Sequence, residues 1–125
     1  MPTAEAVMTT QEVADRLSEL FKENKWAEVH QELFSDDAES IEPPSSQGMQ
    51  SVKGREAIKK KGEDFNNMLE EMHGGYAGEP IVAGKYIAIA MGMDATYKGM
   101  GRQKMDEIAL YEVKDGKIVK EQFFY

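Results

Sequence analysis

The chain has 125 residues, a formal net charge of −8 and no cysteine. A chain of this length is typical of one domain, so we expect a single domain over residues 1–125. The negative charge disfavours nucleic acid and anionic membrane surfaces as partners, because both attract basic faces. Without cysteine the protein cannot form a disulfide or use a thiolate.

The N-terminal segment and the apolar runs bear on the location of the protein. The segment MPTAEAVMTT has neither the basic start nor the apolar stretch of a signal peptide. The longest apolar run, YIAIAM at 86–91, is too short to span a bilayer. Together with the absence of cysteine, these features predict a cytoplasmic protein in a reducing compartment.

Two helices are predicted near the N-terminus. The stretch Thr9-Thr10-Gln11-Glu12 contains the Thr-x-x-Glu pattern of a capping box. Apolar residues then recur at helical spacing, namely Val13, Leu17, Leu20 and Phe21. Asn24 marks a break before the second helix. The apolar side of that helix carries Trp26, Val29, Leu33 and Phe34.

The segment FSDDAESIEPP, residues 34–44, predicts an elbow followed by a short strand. Asp36-Asp37 ends the second helix, and Ala38–Glu42 is the predicted strand. Pro43 and Pro44 cannot donate to a sheet, so the strand ends there or lies at an edge. Residues 45–54 predict a loop.

A third helix is predicted from Arg55 to Met72, and Gly74-Gly75 ends it. Its apolar stripe is formed by Ile58, Phe65, Met68, Leu69 and Met72. The run Lys59-Lys60-Lys61 precedes Glu63-Asp64, which places opposite charges four residues apart. We therefore interpret the lysine run as a solvated face with ion pairs rather than as a basic patch.

The rest of the chain has the pattern of strands. The predicted strands are Glu79–Ala83, Tyr86–Tyr97, Arg102–Val113 and Ile118–Tyr125. Met100-Gly101 and Asp115-Gly116 supply the hairpin turns between the longer ones. The resulting order, ααβαββββ, predicts an α+β fold with a mostly antiparallel sheet.

The strand Tyr86–Tyr97 has apolar residues on both faces. One face carries bulky residues, namely Ile87, Ile89, Met91, Met93 and Tyr97. The other face carries mostly small ones, from Ala88 and Ala90 to Gly92. A monomer needs to bury only one face, so we expect the second face to pack against another copy of the chain in a homodimer.

The element order, the stretch FSDDAESIEP and the ending DGKIVKEQFFY together resemble the NTF2-like superfamily. Within it the chain is most similar to the SnoaL-like group, which is related to polyketide cyclases and ketosteroid isomerases. The resemblance covers about Thr10 to Tyr125. It implies a cone in which a curved sheet wraps three helices, a pocket between helices and sheet, and a homodimer packed through the sheet.

The resemblance also implies site residues. Ketosteroid isomerases carry a catalytic Asp just before a proline in a similar stretch, and Glu42 occupies that position here. Their second acid lies on a strand of the last hairpins, where Asp106 is the nearest acid and is expected to face inward. The helix-1 tyrosine of those enzymes corresponds to Leu17, so one oxyanion donor is missing. Losing such a donor typically costs about two to three orders of magnitude in rate.

Several alternatives remain open at these positions. Glu42 is either a proton-transfer group or an exposed carboxylate at a strand end. Asp94 and Asp106 either face each other inside, which would raise a pKa, or are solvated charges that Arg102 and Lys104 pair with. The residues expected to line the pocket are Leu17, Trp26, His73, Asp94 and Tyr97. His73 alternatively interacts with the C-terminal dipole of the third helix.

We expect no metal and no cofactor, because the two histidines lack the spacing of a helical metal site. The expected ligand is a small, largely apolar organic molecule. Two classes of function are open. One is an isomerase, cyclase or hydrolase with Glu42 as general base and Asp106 as acid or orienting group. The other is a non-catalytic ligand-binding module.

Overall fold

The computed structural model of the chain describes residues 7–46 and 48–125, so the first six residues of the segment considered as a signal peptide lie outside it. The helices are α1 (Thr10–Lys22), α2 (Trp26–Leu33) and α3 (Arg55–Met68). The strands are β1 (Phe34–Ile41), β2 (Val52–Lys53), β3 (Leu69–Ala77), β4 (Ile81–Ala83), β5 (Tyr86–Tyr97), β6 (Gly101–Lys114) and β7 (Lys117–Phe124). Of the helices described, none combines the length and apolar content needed to cross a bilayer.

The strands form one seven-stranded mixed sheet in the order β2-β1-β7-β6-β5-β3, with β4 also paired to β5. β1 and β7 are parallel, and the other pairs are antiparallel. The α+β cone with a mostly antiparallel sheet is therefore confirmed. The parallel pair is the detail that matters for the site, because it joins the elbow after α2 to the last strand of the chain.

α1 begins and packs as its sequence predicts. The Thr9 side chain accepts a hydrogen bond from the Glu12 amide, and the Glu12 side chain accepts one from the Thr9 amide, which completes the capping box. The apolar stripe of α1 is buried in the core, with Leu17 and Leu20 fully inaccessible. Asn24 lies between α1 and α2 at a positive φ of 56°, a conformation that asparagine tolerates better than most residues.

The third helix is shorter than predicted. It ends at Met68, and the segment Leu69–Ala77, which includes Gly74-Gly75, is strand β3 paired with β5. The helical spacing of Leu69 and Met72 wrongly extended the predicted helix. The backbone groups of this segment instead form hydrogen bonds with the edge of β5, which satisfies them along its whole length. β2 was also not predicted, and β1 begins at Phe34 rather than Ala38.

Trp26 does not lie on a buried stripe as predicted. It is the first residue of α2, its ring stacks on Phe21 at 4.3 Å, and the residue is 45% exposed. The helix pair meets through the next turns instead, where Val29 and Leu33 are buried. An aromatic residue at a helix end can cover the edge of a core without entering it.

The two faces of the sheet differ as the alternation in β5 predicts. Ile87, Ile89 and Met91 point to the helices and are buried. The opposite face carries Ala88 and Ala90, and these pair across the sheet with Leu110 and Ile108 of β6. The outer face thus has an apolar centre that no other described element covers.

Leu17→Ala is expected to lower the free energy of unfolding by about 2–5 kcal/mol, since it empties a fully buried position. Trp26→Ala should cost clearly less, although it removes a larger side chain, because Trp26 is largely exposed. Urea denaturation of both variants measures the difference. A Trp26→Ala loss equal to that of Leu17→Ala would contradict the surface position of the indole.

Candidate functional site

Glu42 follows β1 directly and precedes Pro43. Its side chain is only 6% exposed, although it lies at the end of a strand. The Tyr125 hydroxyl donates to Oε1 at 2.6 Å, and the Lys61 ammonium donates to Oε2 at 2.5 Å. Glu42 is therefore a buried carboxylate with two strong donors, and the alternative of an exposed strand-end carboxylate is excluded.

Three elements bring these groups together. The Glu42 amide donates to the Ser51 hydroxyl at 2.9 Å, which orients the chain just after β1. The parallel pairing of β1 with β7 sets Ile41 opposite Gln122, so that Tyr125 reaches the same end of the sheet. α3 packs on β1 and supplies Lys61 from the other side.

Lys61 connects Glu42 to a second buried group. Its side chain is 10% exposed, and its ammonium also donates to the Ser40 hydroxyl at 2.8 Å. Ser40 is fully buried and donates in turn to Oε1 of Glu121 at 2.8 Å. The Lys61 ammonium also lies 5.5 Å from the centre of the Phe123 ring, within the range of a cation–π contact.

Two further carboxyl groups face this cluster from the sheet. Burial raises the pKa of Glu107 to about 7, the charge of Glu42 adds to the rise, and Lys61 opposes it. Burial also raises the pKa of Glu121 to about 7, while the Ser40 hydrogen bond and Lys61 oppose the rise and the charges of Glu42 and Glu107 add to it. Both groups therefore exchange protons near neutral pH, where acid–base chemistry is most effective.

Two tyrosines with raised pKa values complete the site, and Tyr125 donates a hydrogen bond to Glu42. Burial, together with the hydrogen bond to Glu42, raises the pKa of Tyr125 to about 12. Burial also raises the pKa of Tyr111 well above its usual range, and the charges of Glu121 and Glu107 add to this. We name this set the Glu42 cluster: Ser40, Glu42, Lys61, Glu107, Tyr111, Glu121, Phe123 and Tyr125.

Asp106 is not part of the Glu42 cluster, so the expected inward orientation was wrong. Along β6 the odd-numbered residues Ala109, Tyr111 and Val113 are buried against the helices, whereas Asp106 points to the outer face. There its carboxylate accepts a hydrogen bond from the Tyr76 hydroxyl at 2.7 Å. The neighbouring Glu107 occupies the inward position that was expected of Asp106.

Asp94 and His73 also lie on the outer side of the sheet. Arg102 donates twice to the Asp94 carboxylate, at 3.0 and 2.8 Å. Asp94 therefore forms an ion pair with Arg102 on the outer face of the sheet. Asp94 pairs across the sheet with Lys104, whereas Asp106 pairs with Gly92, so the two acids do not face each other. His73 lies in β3 rather than after a helix, and its Nε2 is 2.7 Å from the Thr96 hydroxyl.

Of the remaining residues expected to line a pocket, Leu17 is part of the packed core and Trp26 lies at the surface. Tyr97 points inward and packs edge-to-face on Phe65 of α3, with ring centres 6.0 Å apart. Two concavities, of about 430 and 310 Å³, lie on the outer face of the sheet. The larger one is lined by Tyr86, Leu110, Glu112, Lys120 and Gln122.

Sequence reasoning predicted Glu42 and missed the other seven members of the cluster: Ser40, Lys61, Glu107, Tyr111, Glu121, Phe123 and Tyr125. Lys61 was interpreted as part of a solvated lysine run, yet it lies three residues after the buried Ile58, which places it on the same side of α3. The two-residue period of β6 points Glu107 to the same face as Tyr111. These two spacings were the available signals.

The fold and the Glu42 cluster define the class of protein as an NTF2-like α+β cone. Residues 8–125 match the model of the SnoaL-like domain, and the chain belongs to that family. One similar structure is that of a Mesorhizobium loti protein, proposed to be a SnoaL-like polyketide cyclase (carbohydrate phosphatase). It shares 36% sequence identity with this chain and superposes with a TM-score of 0.88. The match covers 94% of this chain and all of that one.

More distant structures share the fold alone. One is a Catenulispora acidiphila protein with a ketosteroid isomerase-like fold, in complex with trimethylamine (19% identity, TM-score 0.70, 94% and 87% of the two chains covered). Another is a proposed isomerase from Bacillus subtilis (18% identity, TM-score 0.72, 93% and 88% covered). Among curated proteins the comparison found no significant match.

The raised pKa of Glu121 makes the stability of the fold depend on pH. Because the folded state holds this proton more tightly than the unfolded chain, stability should fall as pH rises from about 4.5 to about 7. Glu121→Gln removes the charge, so it should stabilise the protein at pH 8 by on the order of 3 kcal/mol and have little effect at pH 5.

Thermal unfolding at pH 5 and pH 8 tests this expectation. Glu112→Gln, which changes an outer-face glutamate of β6, is the matched control and should not alter the difference between the two pH values. His30 works in the opposite direction, because burial lowers its pKa to about 4 and protonation then destabilises the fold on acidification. An equal pH dependence in wild type and Glu121→Gln would contradict the assignment.

Proposed function

We propose that this protein is an acid–base enzyme of isomerase or cyclase type that acts on a small, largely apolar organic molecule with an acidic C–H beside a carbonyl. Glu42 is the general base. The observation that carries this proposal is a buried carboxylate between a tyrosine hydroxyl and an ammonium, next to a second carboxyl with a pKa of about 7.

The geometry of Glu42 is suited to proton abstraction. A carboxylate offers about four lone-pair positions, and the bonds from Tyr125 and Lys61 occupy two of them. The others can accept the proton of a substrate. The proton moves to Glu42, the C–H electron pair becomes an enolate, and Glu42 returns the proton to a different atom in an isomerisation. The single hydroxyl hydrogen of Tyr125 is donated to Glu42 in the free protein, and it can turn to the enolate oxygen once Glu42 holds the substrate proton.

Glu107 takes the role that was expected of Asp106. It points to the interior, and the charge of Glu42 helps to raise its pKa, so the two carboxyls are electrostatically coupled. Two titratable groups in different environments supply an acid and a base at one pH. Glu107 therefore serves as the acid, and Glu42 serves as the base.

A binding module without catalysis is the second candidate, and one observation favours it. The Lys61 and Glu42 side chains are paired and only 10% and 6% exposed, which restricts the access of a carbon acid to the carboxylate. A ligand could use the same donors and aromatic rings without being altered. The two candidates differ in one measurable respect, which is the effect of Glu42 on proton exchange at carbon.

Glu42→Gln is expected to reduce proton abstraction by about 10²- to 10⁴-fold, because it removes the general base while keeping the shape of the side chain. The assay incubates the protein with a panel of hydroxyketones and 1,3-diketones in D₂O and follows loss of the C–H signal by proton NMR. Glu39→Gln, on the same strand, is the matched control and should exchange at the wild-type rate.

Thermal stabilisation by the same panel separates the two candidates. A ketone that stabilises the wild type without exchanging its protons supports the binding module. Exchange that persists in Glu42→Gln removes Glu42 as the base.

We also propose that the protein forms a homodimer through the outer face of its sheet. Ala90, Ile108 and Phe124 lie side by side across β5, β6 and β7 at the centre of this face, and Ile108 is 44% exposed. Charged pairs such as Asp94–Arg102 lie toward the edge. An apolar centre with a polar rim is the arrangement of a subunit interface, and a two-fold axis lets the same face pack on itself.

Ile108→Lys is expected to convert the dimer to a monomer, because it places two charges opposite each other at the centre of the contact. Sedimentation equilibrium measures the mass. Met100→Lys, in the β5–β6 turn at a similar exposure of 45%, is the control and should leave the dimer intact. A monomeric wild type would exclude the proposed interface.

A further inference from the structure

We propose that Glu121 and Ser40 are positioning residues that regulate Glu42 through Lys61. The protonation state of Glu121 decides how the charge of the Lys61 ammonium is shared between Glu42 and Glu121. This inference rests on the proposed function of Glu42 for its meaning in catalysis. The coupling itself is a property of the folded chain and can be measured without a substrate.

The geometry provides a continuous path between the two carboxyls. Glu121 accepts from Ser40, Ser40 accepts from Lys61, and Lys61 donates to Glu42, with donor–acceptor distances of 2.8, 2.8 and 2.5 Å. The side chains on this path are almost completely buried. Each hydrogen bond in such a chain polarises the next, and low local dielectric strengthens the effect.

Ser40 is the residue that makes the path possible. As a hydroxyl it donates one hydrogen bond and accepts others, so it can receive the Lys61 proton donor and present its own hydrogen to Glu121. Neighbouring residues of β1 cannot replace it, because Glu39 and Ile41 point to the other face of the strand. The serine thus couples the charge of Glu121 to the Lys61 ammonium through two hydrogen bonds.

Charged and titratable groups face Glu121 from each packed element. Glu42 lies at the end of β1, and Lys61 comes from α3. Glu107 comes from β6, as does Tyr111, which is the cross-strand partner of Glu121. Lys61 is the cation among these named groups. One ammonium therefore lies among three carboxyl groups, namely those of Glu42, Glu107 and Glu121. A single positive charge cannot neutralise three buried carboxylates at once.

The direction of regulation follows from this balance. When Glu121 is protonated, it carries no charge that competes with Glu42 for the Lys61 ammonium. When Glu121 loses its proton to solvent, it attracts Lys61 through Ser40 and repels Glu42 directly. The Glu42 carboxylate then shares Lys61 with a second negative charge, so proton abstraction by Glu42 should become faster through the pH range in which Glu121 titrates.

Carboxyl carbon NMR of protein labelled with ¹³C at glutamate Cδ tests the coupling directly. The Glu42 resonance, assigned with Glu42→Gln, should show a second titration step in wild type near pH 7. Glu121→Gln should remove this step, because a neutral amide does not ionise. Ser40→Ala should reduce it while leaving the carboxyl of Glu121 present. Glu112→Gln on the outer face should leave it unchanged.

The outcomes separate this inference from the proposed function. A second step that persists in Glu121→Gln overturns the proposal and assigns the coupling to Glu107, which Glu107→Gln would then verify. A coupling that is present while no ketone exchanges its protons leaves the regulation intact and removes the catalytic role. Where exchange is measurable, its rise with pH in wild type should be lost in Glu121→Gln. Retention of that rise also counts against the proposal.

Discussion

The ion pair between Lys61 and Glu42 is the interaction on which the interior of this protein depends. The ammonium and the carboxylate are nearly excluded from solvent, and each is stabilised by the other and by neighbouring hydroxyl groups. Removing one partner of such a pair leaves an uncompensated buried charge, which is strongly destabilising. The fold therefore holds the Glu42 carboxylate in place, and burial of the two neighbouring carboxyls raises their pKa to about 7.

The parallel pairing of β1 and β7 decides what surrounds this ion pair. It connects residues 40–42 with residues 121–122, about 80 positions later in the chain. Through this contact Ser40 meets Glu121 and Glu42 meets Tyr125. An antiparallel hairpin could not form here, because the strands are joined by the rest of the molecule. The contact that joins β1 to the rest of the sheet thus also assembles the polar cluster.

Local patterns predicted the site only where a single strand or helix decides orientation. Glu42 was predicted from its position before Pro43, and it lies in the cluster. Asp106 was expected from the family resemblance as the nearest acid on its strand, and one residue of error on a strand exchanges the two faces. Lys61 was interpreted as solvated because it belongs to a run of charged residues. Such a run does not reveal that a carboxylate on another element lies next to one of its members. Spacing along one element therefore cannot identify partners from another.

The sequence by itself determined the three helices, the long hairpin strands, the α+β class and the alternation that leaves one sheet face apolar. These features follow from periodicity and from the conformational preferences of capping and turn residues, which act over a few residues. Only the tertiary structure decided that Leu69–Ala77 is a strand and that one ammonium lies among three carboxyls. Edge pairing and burial are long-range effects, and a carboxyl with an ordinary sequence context acquires its raised pKa only when the fold removes it from water.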